Sequence, residues 1–172
     1  MDKTLILVNK EEDYLNRIFE IIKESDKNIC YVTFNKTPDF ILESAEKNKI
    51  PRDRFYFIDC ITARIKISAK IKNSVQISDF DNLAKINDNI RKIVNEGYSM
   101  VIFDSLSNIL VYPSINDSHI AGSLEVLFES LGNMKGEAAF VCYENDIGNY
   151  SLDKTLFLFN NVIKSSRGLF GL

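Results

Sequence analysis

The sequence contains no tryptophan, one histidine, three cysteines and three prolines in 172 residues. Each shortage excludes something. Cys30, Cys60 and Cys142 are far apart, so neither a disulfide framework nor a zinc site has the paired spacing it needs. They read as buried free thiols. His119 has no cysteine or second histidine near it and reads as a surface residue at a helix start, not a ligand. No apolar run approaches the ~18 residues of a membrane span, and the N-terminus lacks the apolar core of a signal peptide. A cytoplasmic protein is the expectation. Net charge is −3, and no Lys/Arg run is dense enough for a nucleic-acid or membrane footprint.

What is present is a long supply of core residues. Hydrophobic residues make up 45% and charged residues 26%, which suits one domain spanning 1–172. The twelve Phe and seven Tyr lie mostly in apolar runs. Apolar runs at 4–8, 28–34, 55–59, 100–103 and 138–143 predict five strands, and Val162 and Ile163 predict a last edge strand. Between them, helical spacing predicts helices over 11–25, from 37 to 50, over 79–96, over 119–134 and over 151–161. Pro38 suits a first helical turn, Asp79 or Asp81 the cap of the third helix, and Gly97 its stop. Gly136 breaks the fourth helix, and residues 105–117 form the connection before it. The segment 61–77 is irregular, with Val75 and Ile77 as a minor strand.

This alternation is a βα repeat. Strands with uninterrupted apolar runs imply a mostly parallel sheet covered on both faces, a three-layer α/β/α sandwich. Right-handed crossovers bring the C-terminal strand ends to one edge, where ligands of open α/β sheets bind. Asn35, Asp59, Asp104 and Glu144 belong at that edge and form a candidate strand-end pocket.

Asp104 is the sharpest of these, because MVIFDSLSNIL at 100–110 runs from a buried strand into an acid and then hydroxyls. Such a carboxylate can orient magnesium or its water shell. The plainer role is to cap the following loop through its own side chain. Ser105 and Ser107 can bond backbone in the same turn, and neither has the flanking glycines of a nucleophile elbow. The first strand–helix connection reads Val8-Asn-Lys-Glu-Glu-Asp-Tyr14, without glycine. A phosphate nest needs glycine backbones that wrap amides around the phosphates. Here two Glu and one Asp crowd the helix start and repel a triphosphate, and Lys10 alone cannot replace the nest. A receiver-like arrangement of Asp59 with Glu11 and Glu12 fits poorly, given the connections after Asp59 and the excursion at 61–77.

On the stretches at 29–35, 55–59 and 101–107, the chain resembles the RecA/KaiC-like ATPase domain from Thr4 to about Ser165. The resemblance implies a P-loop NTPase-like sheet of strand order 3-2-4-5-1, counting the five main strands along the chain, with the later C-terminal strands shortened. It places the magnesium-orienting Walker B acid on Asp104. It places the water-activating glutamate on Asn35, or on Lys36, and an amide cannot act as a general base. The Walker A loop, due at 9–14, has gone. Phosphoryl transfer rests on positioning and charge neutralisation, so such a site hydrolyses ATP very poorly.

The function expected is a non-catalytic regulatory, signalling or assembly domain, with a protein partner or its own copy as ligand, no catalytic residue and no cofactor. Two alternatives stand beside it. One is a nucleotide binder or weak ATPase taking Mg-ATP at a non-standard site around Asp104. The other is a nucleic-acid-binding module using Arg64, Lys66, Lys70 and Lys72; these cations also read as lysines snorkelling from a structural segment.

Overall fold

Strands that are apolar on both faces must be covered on both faces, and the chain answers with two helical layers. In the computed structural model the described residues are 1–9, 14–62, 65, 71–78, 82–110, 117–146, 153 and 156–164, and the side chains of 110 and 117–121 lie outside the description. The strands are β1 (Asp2–Val8), β2 (Ile29–Thr33), β3 (Phe55–Asp59), β4 (Ser74–Gln76), β5 (Met100–Asp104), β6 (Glu137–Tyr143) and β7 (Asn161–Lys164). All pair in parallel, in the order β4-β3-β2-β5-β6-β1-β7. The inner five strands carry the expected order, and β4 and β7 are added at the two edges.

Alternation along each strand sorts the core into two clusters. Leu5, Leu7, Val101, Phe103 and Phe140 face the helices α3 (Leu83–Asn95) and α5 (Asp117–Gly132). Ile6, Val8, Tyr31, Phe57 and Ile102 face α1 (Tyr14–Lys23) and α2 (Pro38–Lys47). The helices bury the stripes that their spacing predicts: Leu15, Ile18, Phe19 and Ile22 on α1, and Leu83, Ile86, Ile90 and Ile93 on α3. Burying one such side chain contributes about 1.5–3 kcal/mol. The aromatics serve this core, with Phe103 stacked on Phe140 at 4.9 Å and Phe128 edge-on to Phe140 at 4.8 Å. All three cysteines are buried free thiols. Burial pushes Cys30 up, Cys60 to about 12 and Cys142 to about 11, so none is a ready nucleophile.

The helix ends follow local chemistry. Thr37 caps α2 by accepting from the Phe40 amide, with Pro38 in the first turn. The cap of α3 is Asn82, whose side chain accepts from the Lys85 amide; Asp79 and Asp81, expected there, lie outside the described residues. Asn82 stands three residues before Lys85, which is the reach a capping side chain needs. Gly97 stops α3 at φ 102°.

Three expectations are corrected. The connection at 105–117 contains a short helix, α4 (Leu106–Leu110), in which Leu106 and Ile109 are buried against the α3/α5 cluster. The helix expected at 119–134 runs from Asp117 to Gly132. The helix expected over 151–161 ends, in its described part, as a single 3-10 turn at Leu156–Leu158, and Asn161 already belongs to β7. There the backbone is captured by the sheet, because Asn160 N donates to Lys3 O at 2.8 Å. Among the described residues no helix is long and apolar enough to cross a membrane.

Gly136 turns the chain into β6 at φ 119°, and a Cβ there would lie 2.0 Å from the Ser99 carbonyl oxygen. A Cβ at Gly122, on α5, meets nothing within 4 Å. Gly136→Ala is therefore expected to lose at least about 1–3 kcal/mol in urea unfolding, while Gly122→Ala gains about 0.5–1 kcal/mol. Equal effects from the two substitutions would contradict the account of the turn.

Candidate functional site

The register of three adjacent strands sets the polar edge. Thr33 pairs with Asp59 on one side and Asp104 on the other, so the ends of β3, β2 and β5 stand level. By the same alternation Asp59, Thr33 and Asp104 stand two positions after Phe57, Tyr31 and Ile102, which face α1 and α2, so all three belong to that face. Asn35 lies two residues past the end of β2, and Glu144 opens a 3-10 turn (Glu144–Asp146) directly after β6. The four sequence candidates thus share the C-terminal edge, with different surroundings.

Asp104 is fully buried. The Tyr31 hydroxyl donates to its Oδ2 at 2.7 Å, and the Asn35 amide lies 3.5 Å from its Oδ1. The same amide nitrogen is 3.0 Å from the Tyr14 hydroxyl and 3.3 Å from Asn108 Oδ1. Ser105 Oγ donates to Asn108 Oδ1 at 2.5 Å, and the Asp104–Ser105 peptide is cis. Tyr14 opens α1, Tyr31 is inside β2 and Asn108 is on α4, so one partly buried cluster ties three elements together. Two further contacts close it from the side. The Tyr14 ring packs edge-on to Tyr143 with centroids 6.1 Å apart, and Lys36 Nζ lies 4.7 Å from the Tyr14 ring centroid.

Burial raises the Asp104 carboxyl from its ordinary 3.8 to about 6, against the lowering effects of the Tyr31 hydroxyl, the Lys36 charge and the Asn35 amide. Tyr31 is pushed up by burial and by the charge and hydrogen bond of Asp104. The carboxylate does not cap its own loop: its described partners are side chains from β2 and the turn after it.

Asp59 takes that capping role instead. Its Oδ1 accepts from the amides of Ile61 at 3.0 Å and Thr62 at 2.9 Å. One strand separates it from Asp104, about 10 Å between the backbones at the usual sheet spacing. Ser107 also leaves its turn, accepting the Tyr143 amide at 2.8 Å and thereby pinning α4 to β6. Among the described residues no three His, Cys, Asp or Glu side chains gather as a metal cluster. Residues 10–13, most of the connection where a phosphate loop is due, lie outside the described residues, as do Arg64, Lys66, Lys70 and the side chain of His119; Lys72 is exposed.

Tyr31, Tyr14 and Asn108 were not among the candidates. A tyrosine inside a fully buried strand was the available signal, since a buried phenol needs a partner for its hydroxyl. Its partner is Asp104, two residues further along the edge in the neighbouring strand.

No protein-family profile matches the chain, and no curated protein matches it. Solved structures do. A KaiC-like protein from the hyperthermophilic archaeon Pyrococcus horikoshii OT3 superposes with a TM-score of 0.63 at 12% identity, over 99% of this chain and 74% of that one. The RadB recombinase superposes with a TM-score of 0.56 at 12% identity, over 95% of this chain and 73% of that one. The fold is RecA/KaiC-like.

Folded Asp104 takes up its proton near pH 6 and an unfolded aspartate near 3.8, so between those values the native state binds more protons. Stability therefore falls as pH rises through that window and stays low above it. The span corresponds to about 3 kcal/mol. Asp104→Asn removes this dependence, and its amide can donate to Asn35 Oδ1, which has no hydrogen-bond partner among the described residues. Thermal unfolding should show Asp104→Asn at least as stable as the parent at pH 7.5, with the difference moving toward the parent as pH drops to 5. A pH-independent difference would mean that Asp104 is already charged at pH 5.

Proposed function

We propose that this chain, as one domain over 1–172, is a non-catalytic RecA/KaiC-like module. It acts in regulation, signalling or assembly through protein contacts, without efficient ATP hydrolysis. The observation that carries this reading is the enclosure of Asp104. A magnesium-orienting acid has to be ionised and open to the ion and its waters. Here the carboxylate is fully buried and is bonded by Tyr31 and Asn35.

The residues present do not fit a magnesium–ATP group. The first strand–helix connection has no glycine to build a phosphate nest. Asn35, at the position that the RecA/KaiC resemblance gives to the water-activating glutamate, has no basic carboxylate. The Tyr14 ring, wedged against Tyr143 and Lys36, opens the helix whose start should receive the phosphates. What the cluster does supply is rigidity, because it locks α1, β2 and α4 into one unit that a partner can read.

Calorimetric titration with ATP and ADP, with and without magnesium, tests the reading. No binding is expected at ligand concentrations up to about 1 mM. Submillimolar, magnesium-dependent binding that disappears in a folded Asp104→Ala variant would overturn it.

A further inference from the structure

One edge of the sheet ends in a strand whose side chains stay largely open to solvent. All four residues of β7 are exposed, and since side chains alternate along a strand, both of its faces reach solvent. Val162 is 51% exposed and Ile163 38%, on opposite faces, and Phe157, just before the strand, is 75% exposed. Of the six large apolar residues exposed among the described residues, three therefore lie within seven positions of chain.

The strand is nevertheless well placed. Phe159 anchors its start, with its ring 4.9 Å from Phe128 and 5.4 Å from Phe140. Asn160 clamps to β1 twice: its amide donates to Lys3 O and its Oδ1 accepts from Lys3 N, each at 2.8 Å. β7 then pairs in parallel with β1 from Thr4↔Asn161 to Leu7↔Lys164. The position of β7 is set by the residues ahead of it and by backbone pairing, not by burial of its own side chains. Its outer backbone edge has no partner strand among the described residues.

We propose that the β7 edge is a homodimer seam, in which β7 pairs antiparallel with β7 of a second copy about a two-fold axis normal to the sheet. This rests on the assembly reading above and names its partner and surface. The strand suits its own copy. With the axis beside Val162, that residue opposes its own counterpart and Asn161 opposes Ile163. With the axis beside Ile163, that residue opposes its counterpart and Val162 opposes Lys164. Neither register sets Lys164 against Lys164, so the like-charge penalty that guards many edges does not apply. Both registers gather Val162 and Ile163 of the two copies about the axis. An antiparallel edge on a parallel sheet is a common arrangement. The pairing is isologous, uses up both β7 edges and closes at two copies. A seam of four residues per copy is small, so the dimer should be weak and concentration-dependent.

Sedimentation equilibrium from about 5 to about 500 µM should show a reversible monomer–dimer transition. Val162→Lys and Ile163→Lys should abolish it without a change in thermal unfolding, while Val126→Lys, exposed on α5, leaves it intact. Because the native thiols are buried, Val162→Cys or Ile163→Cys supplies a single reactive site. Whichever residue lies on the axis should cross-link to a covalent dimer under mild oxidant. A monomer across the whole range would overturn the seam, as would a dimer that both lysine variants leave unchanged. The nucleotide titration is unaffected by either outcome, so failure of the seam and failure of the non-catalytic reading are separable.

Discussion

Everything in this molecule follows from the need to bury a parallel sheet on two sides. A parallel ladder is joined by crossovers, each crossover lays a helix on a face, and each strand must then be apolar on both faces. Leu5 and Leu7 face one helical layer while Ile6 and Val8 face the other. The same constraint sends every strand in one direction. Their C-terminal ends therefore share an edge, and the polar residues that close the strands meet there whether or not they have a common task.

At that edge the decisive balance is between desolvation and hydrogen bonding. Asp59 and Asp104 both end buried strands, and both are buried themselves. Asp59 spends its carboxylate on backbone amides of its own turn, a local solution. Asp104 uses a phenol from the neighbouring strand and an amide from the turn beyond it, a long-range solution that couples separate elements. Burial still wins over these partners, since the carboxyl is held toward its protonated form. A fold shared with a KaiC-like protein and a recombinase carries here an edge whose polar groups are turned on one another.

The two ends of the sheet are unlike. β4 is short, and the Ile77 that follows it is buried in the α3 layer, with its amide donating to Asp59 O at 2.9 Å. β7 gains no such cover among the described residues, although Phe159 and Asn160 fix its start against Phe128 and Lys3. An ordered strand with two apolar side chains in water is a cost that a second chain can relieve.

The sequence by itself determined the number and direction of the main strands, because two-sided burial writes uninterrupted apolar runs such as those of β2 and β5, while their inner order was implied only by the RecA/KaiC resemblance. It also placed Asn35, Asp59, Asp104 and Glu144 on one edge, since that follows from parallel crossovers alone. It could not separate Asp59 from Asp104, both acids closing apolar strands. Their difference depends on which side chain from another strand arrives within hydrogen-bond distance. Tyr31 looked like one more core aromatic until the β2–β5 register set its hydroxyl against Asp104. The end of the predicted helix at 151–161 was lost for the same reason: the apolar spacing of Leu156 and Phe159 suits a helix, but β1 offered backbone partners at Lys3. Local pattern decides what a segment can form, and only the tertiary structure decides which competing hydrogen bonds it makes.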